Sequence, residues 1–136
     1  MAKRYAIETV NLSKSFAIKK QEILVLSNIN IRLKYGELAA LCGPNGSGKT
    51  TLLKILATLI LPTFGKAFVN GFDTAGNSKA VRKSIGFVDS ESRSFYWRLN
   101  GYENLKFFAA LYNLSNNIIE KRVKYLIDYF EKMKNI

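Results

Sequence analysis

Histidine is absent from the 136 residues, and cysteine occurs once, as Cys42. A single thiol excludes an internal disulfide and fits a reducing cytoplasm. No zinc-finger spacing can be written from such a set. Acidic residues are few: 10 Asp+Glu stand against 21 Lys+Arg, a net charge of +11. That balance fits a nucleic-acid partner, an anionic membrane surface or a lysine-rich solvated surface. The basic residues are scattered, form no dense run and accompany no RNP-like aromatic motif, so the solvated surface is the better reading and no nucleic-acid partner is expected. Long apolar runs are missing as well. The greasiest stretch, Leu52 to Leu61, is broken by Lys54 and Thr58, whereas a membrane span needs about 20 apolar residues. The basic start, Met1 to Arg4, has no apolar run behind it, so no secretory signal is expected. Internal repeats and low-complexity linkers are also lacking.

What is present is a core-forming chain, 48% hydrophobic, of ordinary single-domain size. Residues 5–11 alternate weakly and read as a strand. Residues 23–33 end in period-two alternation, with Ile29, Ile31 and Leu33 on one face and Asn28, Asn30 and Arg32 on the other. After the Tyr35-Gly36 turn, residues 37–42 are nearly all apolar, the pattern of a strand buried on both faces. A helix follows from about Lys49 to Ile60 and stops before Pro62. Lys66 to Asn70 reads as a strand, Asn70-Gly71 as a turn, and Ser78 to Ser84 as a short helix capped by Asn77 or Ser78. Residues 85–88 read as a short buried strand. Glu103 to Leu114 and Asn117 to Met133 read as amphipathic helices, the second with Ile119, Val123, Leu126, Ile127, Phe130 and Met133 in one stripe.

Between the apolar strand and its helix lies Gly43-Pro44-Asn45-Gly46-Ser47-Gly48-Lys49-Thr50, which matches GxxxxGK[ST]. This phosphate-binding loop needs a strand before it and a helix after it, and both are expected here. Successive main-chain N–H groups must close around the phosphates as an anion nest. Side chains would block that approach, hence the glycines. The helix N-terminus adds unpaired amides and its dipole. Lys49 is expected to reach the β- and γ-phosphates and the Thr50 hydroxyl to ligate Mg²⁺.

The residues around the loop resemble one family. Leu41 to Leu53 is similar to the Walker A region of ABC-transporter ATPases, usually GPNGxGKTTL. Val10 to Phe16 resembles that family's first strand and A-loop, and Val25 to Asn30 the strand before Walker A. Pro62 to Lys66 resembles its P-T/S-x-G segment, Val69 to Asp73 its v-x-G-x-d turn, residues 85–88 the strand before the Q-loop, and Glu103-Asn104-Leu105 the start of its helical subdomain. The resemblance implies an α/β fold: a P-loop NTPase (RecA-like) core with N-terminal antiparallel β elements and the start of a helical subdomain, incomplete. Residues 1–89 would be the N-terminal part of that core, and 90–136 the Q-loop-like segment with the first helices. It implies ATP and Mg²⁺ as ligands, with Phe16 stacking on adenine and Thr51 supporting the phosphates beside Thr50. The expected partners are membrane-spanning transporter subunits and a second ATP-binding subunit. The expected place is cytoplasmic, peripheral on the inner face of the cell membrane.

Two departures qualify the resemblance. Ser90 stands where the Q-loop glutamine belongs, and the polar, aromatic Ser90 to Leu99 segment is similar to that of drug- and polyketide-exporter ATPases. Ser90 is a candidate Mg²⁺ contact; Glu91 is either its substitute or a solvated carboxylate. Tyr96, Trp97 and Arg98 either line a groove for a membrane subunit or pack within the subdomain. The second departure is larger: the signature motif, the Walker B Asp-Glu and the switch histidine do not occur in the sequence. The chain therefore resembles the N-terminal portion of such an ATPase, expected to bind ATP weakly and to hydrolyse it poorly alone. The alternatives are a non-catalytic remnant and another P-loop enzyme. A small GTPase would carry N-K-x-D, which is absent.

Overall fold

The computed structural model describes residues 5–18, 21–88, 96–112 and 114–133. Contacts divide the chain into two units, Met1–Phe87 and Val88–Ile136.

In the first unit, strand β1 (Ile7–Ile18) organises the sheet. Strand β2 (Gln21–Ile29) returns antiparallel along its second half, with Phe16 opposite Ile23 and Lys14 opposite Leu26. Strand β3 (Arg32–Leu33) runs beside its first half, Ile7 opposite Leu33. On the other edge β1 pairs with β4 (Phe64–Val69), which turns at Asn70-Gly71 into β5 (Phe72–Asp73). The order is β2-β1-β4-β5. The single strand expected over 23–33 is thus broken in two at Asn30-Ile31. Side chains take over the ladder there: Thr9 Oγ1 accepts from the Ile31 amide and donates to the Ile29 carbonyl, both at 2.9 Å, and the Asn11 amide donates to Asn30 Oδ1. The alternation survives the break, since Ile29, Ile31 and Leu33 are half-buried while Asn28, Asn30 and Arg32 are exposed.

Helix α1 (Lys49–Leu56) lays Leu52, Ile55 and Leu56 on this sheet. They join Leu12, Leu26, Ala67, Val69 and Val81, the last from α2 (Ser78–Ser84), in one core. The helix ends earlier than the expected Ile60. Thr58 takes a left-handed conformation, φ 62°, and the Leu59 amide reaches back to the Lys54 carbonyl at 2.8 Å. The Arg82 guanidinium donates to Thr58 Oγ1 and so ties α2 to this turn. Gly65 is the closest approach within the sheet. A Cβ there would stand 2.2 Å from the Asn11 carbonyl oxygen, and its φ is +76°, so only glycine fits.

Two expected strands are not formed. Residues 37–42 join no strand and are exposed throughout, Leu38 completely. In residues 85–88 only Ile85 touches the core, and Val88 is 94% exposed. An apolar run becomes a doubly buried strand only when neighbours pair on its edges. Among the described residues nothing pairs with either segment.

The second unit is a helical hairpin. Helix α3 (Gly101–Leu111) starts with a capping box: the Asn100 side chain accepts from the Glu103 amide, and the Glu103 carboxylate accepts from the Asn100 amide. Helix α4 (Asn116–Met133) packs against it through buried Ile119 and Val123. Of the others expected on the same stripe, Ile127 is half-buried, Leu126 is 37% exposed and Phe130 58% exposed, and the Met133 side chain lies outside the described residues. The Glu120 carboxylate accepts from Lys106 Nζ and from the Tyr102 hydroxyl, joining the two helices. Asn104 is buried and holds the preceding turn. Its Oδ1 accepts from the Tyr96 amide at 2.8 Å, and its Nδ2 donates to the carbonyls of Tyr96, Leu99 and Asn100 at 3.1, 2.9 and 3.0 Å.

Candidate functional site

The glycine-rich loop leads directly into α1. Gly48 is its N-cap, in the left-handed region at φ 87°, and offers no side-chain cap. The first helical bond runs from the Leu52 amide to the Gly48 carbonyl at 2.9 Å. The amides of Lys49, Thr50 and Thr51 precede that bond, so they are the orphan donors of the helix N-terminus. They carry the positive end of the helix dipole. A tight turn, Ser47 amide to Pro44 carbonyl at 3.3 Å, shapes the loop ahead of them.

Lys49 is folded back over that loop. Its Nζ donates to the Gly43 carbonyl at 2.8 Å and to the Pro44 carbonyl at 2.7 Å. A primary ammonium has three donors, and these two carbonyls orient it across the mouth of the turn. Gly43 to Ser47 and Thr50 are exposed, Lys49 and Thr51 half-buried, and Gly48 buried. The loop surface is open to a ligand while its hinge is packed. A Cβ at Gly48 would lie 2.6 Å from Leu26 Cδ2 and 2.9 Å from the Val25 carbonyl. A Cβ at Gly46 would meet nothing within 4 Å. The two glycines thus do different work: Gly48 lets the loop seat on β2, and Gly46 keeps the outer surface bare at a φ of 81°.

The structure gathers Gly43, Pro44, Asn45, Gly46, Ser47, Gly48, Lys49, Thr50 and Thr51 in one loop and first helical turn. Phe16 comes from a distant element but stands in the same unit. Lys14 pairs with Leu26, whose side chain lies beneath Gly48. Phe16 is two residues along β1 from Lys14, and the two side chains meet, Lys14 Nζ standing 4.8 Å from the ring centre. Gly48 thus packs on the strand that pairs with the Lys14–Phe16 stretch of β1, although the pairing register shifts between Lys14 and Ser15. Ser90 and Glu91 lie outside the described residues. Tyr96, Trp97 and Arg98 belong to the second unit, on the turn held by Asn104; Trp97 is 83% exposed, with the Arg98 guanidinium 4.8 Å over its ring.

Sequence reasoning missed the Lys14–Phe16 contact and the Asn104 clamp. A Lys-x-Phe spacing on a strand puts both side chains on one face and was legible in principle. The bonds of Asn104 depend on a turn that carries no strong sequence signal.

No group of three or more His, Cys, Asp or Glu gathers to hold a metal among the described residues, and none of their helices is long and apolar enough to cross a membrane.

A family model described as ABC transporter matches residues 26–135. NatA, an ABC transporter ATP-binding protein of Bacillus subtilis, is 32% identical over 124 residues, which are 91% of this chain and 50% of NatA. DrrA, a doxorubicin resistance ATP-binding protein of Mycobacterium tuberculosis, is 36% identical over 111 residues, 82% of this chain and 33% of DrrA. Among solved structures, a dimeric ATP-binding cassette in a post-hydrolysis state bound to ADP and Pi superposes with a TM-score of 0.72 at 26% identity, covering 88% of this chain and 54% of that one. The chain thus spans half or less of the length of these two curated relatives.

Proposed function

The chain belongs to the ABC transporter family, and from that footing we propose that it binds MgATP through residues 43–51 as part of an ATP-binding subunit that powers export. The observation that carries this reading is Lys49, held by the Gly43 and Pro44 carbonyls across a loop whose helical amides await an acceptor. A triphosphate would supply anionic oxygens for the amides of Lys49, Thr50 and Thr51 and a counter-charge for Lys49. Mg²⁺ would enter with the nucleotide and take the Thr50 hydroxyl as a ligand, with Ser90 as a further candidate. Phe16, in the same unit as the loop, would receive the adenine.

Residues 1–89 serve in this reading as the ATP-binding part of the core, and 90–136 as the start of a helical subdomain. The partners are membrane-spanning subunits, with Tyr96, Trp97 and Arg98 on the side offered to them, and a second ATP-binding subunit closing over the nucleotide. The place of action is the inner face of the cell membrane. In this reading residues 1–136 supply nucleotide binding, and the resemblance assigns turnover to motifs that these residues do not include. A general base typically contributes 10²–10⁴-fold.

Calorimetric titration with MgATP tests the reading. The unmodified chain should bind, and Lys49→Ala should bind roughly 10- to 100-fold more weakly, the range of a lost charge-assisted contact. Equal affinities, or no binding by the unmodified chain, would refute it.

A further inference from the structure

Lys14 and Phe16 raise a question that the loop alone does not answer. The Lys14 ammonium lies 4.8 Å from the centre of the Phe16 ring, within the range of a cation–π contact. Its position along the ribbon matters more than the contact itself. Lys14 pairs with Leu26, and Leu26 Cδ2 would be 2.6 Å from a Cβ on Gly48. Gly48 therefore packs against the strand partner of Lys14. Phe16 pairs with Ile23, two residues further along β1, or about 7 Å away. A base that stacks on Phe16 meets a ring that already carries the Lys14 ammonium.

We propose that Lys14 is a specificity-determining residue, whose ammonium competes with the nucleotide base for the Phe16 ring. The inference rests on the reading of residues 43–51 as the phosphate site and of Phe16 as the base platform. For the base to stack, the lysine must leave the ring. Base stacking is offset by the lost cation–π contact, so the triphosphate dominates affinity and the base adds little. Lys14 then sets how strongly the site distinguishes a nucleotide from a bare polyphosphate.

The test is the ratio of affinities for MgATP and for magnesium tripolyphosphate, measured by calorimetry at one ionic strength. The ratio cancels any general effect of charge on phosphate binding. Lys14→Met keeps most of the aliphatic stem and removes the charge; the ratio should rise about two- to fivefold, the size of an exposed cation–π contact. Lys14→Arg should lower it, because a guanidinium stacks on an aromatic face more firmly. In a Phe16→Ala background both Lys14 variants should leave the ratio unchanged, since the shared partner is gone.

The outcomes separate the inference from its footing. A ratio that Phe16→Ala lowers but neither Lys14 variant moves overturns the inference alone. A ratio that falls with Lys14→Met, as it would if the lysine held the base, also overturns it. A ratio indifferent to Phe16→Ala removes the platform, and the inference with it. If the unmodified chain binds neither ligand, the phosphate site itself falls and takes the inference down.

Discussion

Replacing Gly48 by alanine should cost far more than replacing Gly46, although the two glycines share one loop and nearly one backbone conformation. Their φ values are 87° and 81°. Each substitution places an L side chain in the left-handed region, at about 1–2 kcal/mol. For Gly46 that is the whole cost, because the new Cβ meets nothing within 4 Å. At Gly48 the Cβ would meet Leu26 Cδ2 at 2.6 Å and the Val25 carbonyl at 2.9 Å. The leucine tip can rotate away only into a packed core, and the carbonyl belongs to a paired strand. Overpacking of this kind adds roughly 1–3 kcal/mol. Gly48→Ala should therefore destabilise the first unit by about 2–5 kcal/mol, a large part of a typical domain's 5–15 kcal/mol. Urea unfolding followed by far-ultraviolet circular dichroism reads the difference. Equal midpoints for the two variants would mean that the loop is not seated on β2, and the packing described for the site would be wrong.

Further outcomes follow from the same geometry. Asn104→Ala orphans the Tyr96 amide and leaves the Tyr96, Leu99 and Asn100 carbonyls without this partner; a loss of roughly 2–4 kcal/mol is expected, read by the emission of Trp97, the one tryptophan. Leu38→Ser should leave stability within about 0.5 kcal/mol, because Leu38 is fully exposed, while reducing self-association in sedimentation at high concentration. The hydrogen bonds from Lys106 and Tyr102 hold the Glu120 carboxyl below the ordinary carboxylate range. Their stabilisation of the α3–α4 hairpin is present above the unfolded pKa and fades as pH falls through the lowered folded value. Glu120→Gln should remove that acid dependence from the helical circular dichroism signal.

Several features were legible because their signals are local. The Gly43 to Thr50 pattern marked the loop and Asn70-Gly71 marked the β4–β5 turn, whereas the first helix stops at Leu56, well before Pro62. The capping box at Asn100 and Glu103 was also written in the sequence, yet the helix was expected to start at Glu103; it begins at Gly101. Other features depended on distant residues. The length of β1 and the break between β2 and β3 come from pairing with partners and from Thr9, about 20 residues away from the bonds it replaces. Residues 37–42 have the composition of a buried strand, but composition states a need for neighbours and does not supply them. The same holds for α4: Phe130 keeps helical spacing with Ile119 and Val123 and is still 58% exposed. For the candidate site, the loop and the helix after it were readable but the strand expected before it is not formed, and the Lys14 ammonium over Phe16 emerged only from strand pairing and side-chain placement.

Amide mapping of the nitrogen-15-labelled chain during a MgATP titration addresses the central claim most directly. Main-chain N–H groups from Gly46 to Thr51 should move furthest, downfield as they take up phosphate oxygens, and Lys49→Ala should blunt the response without moving the remaining spectrum. Shifts centred elsewhere, or a spectrum indifferent to millimolar MgATP, would contradict the account.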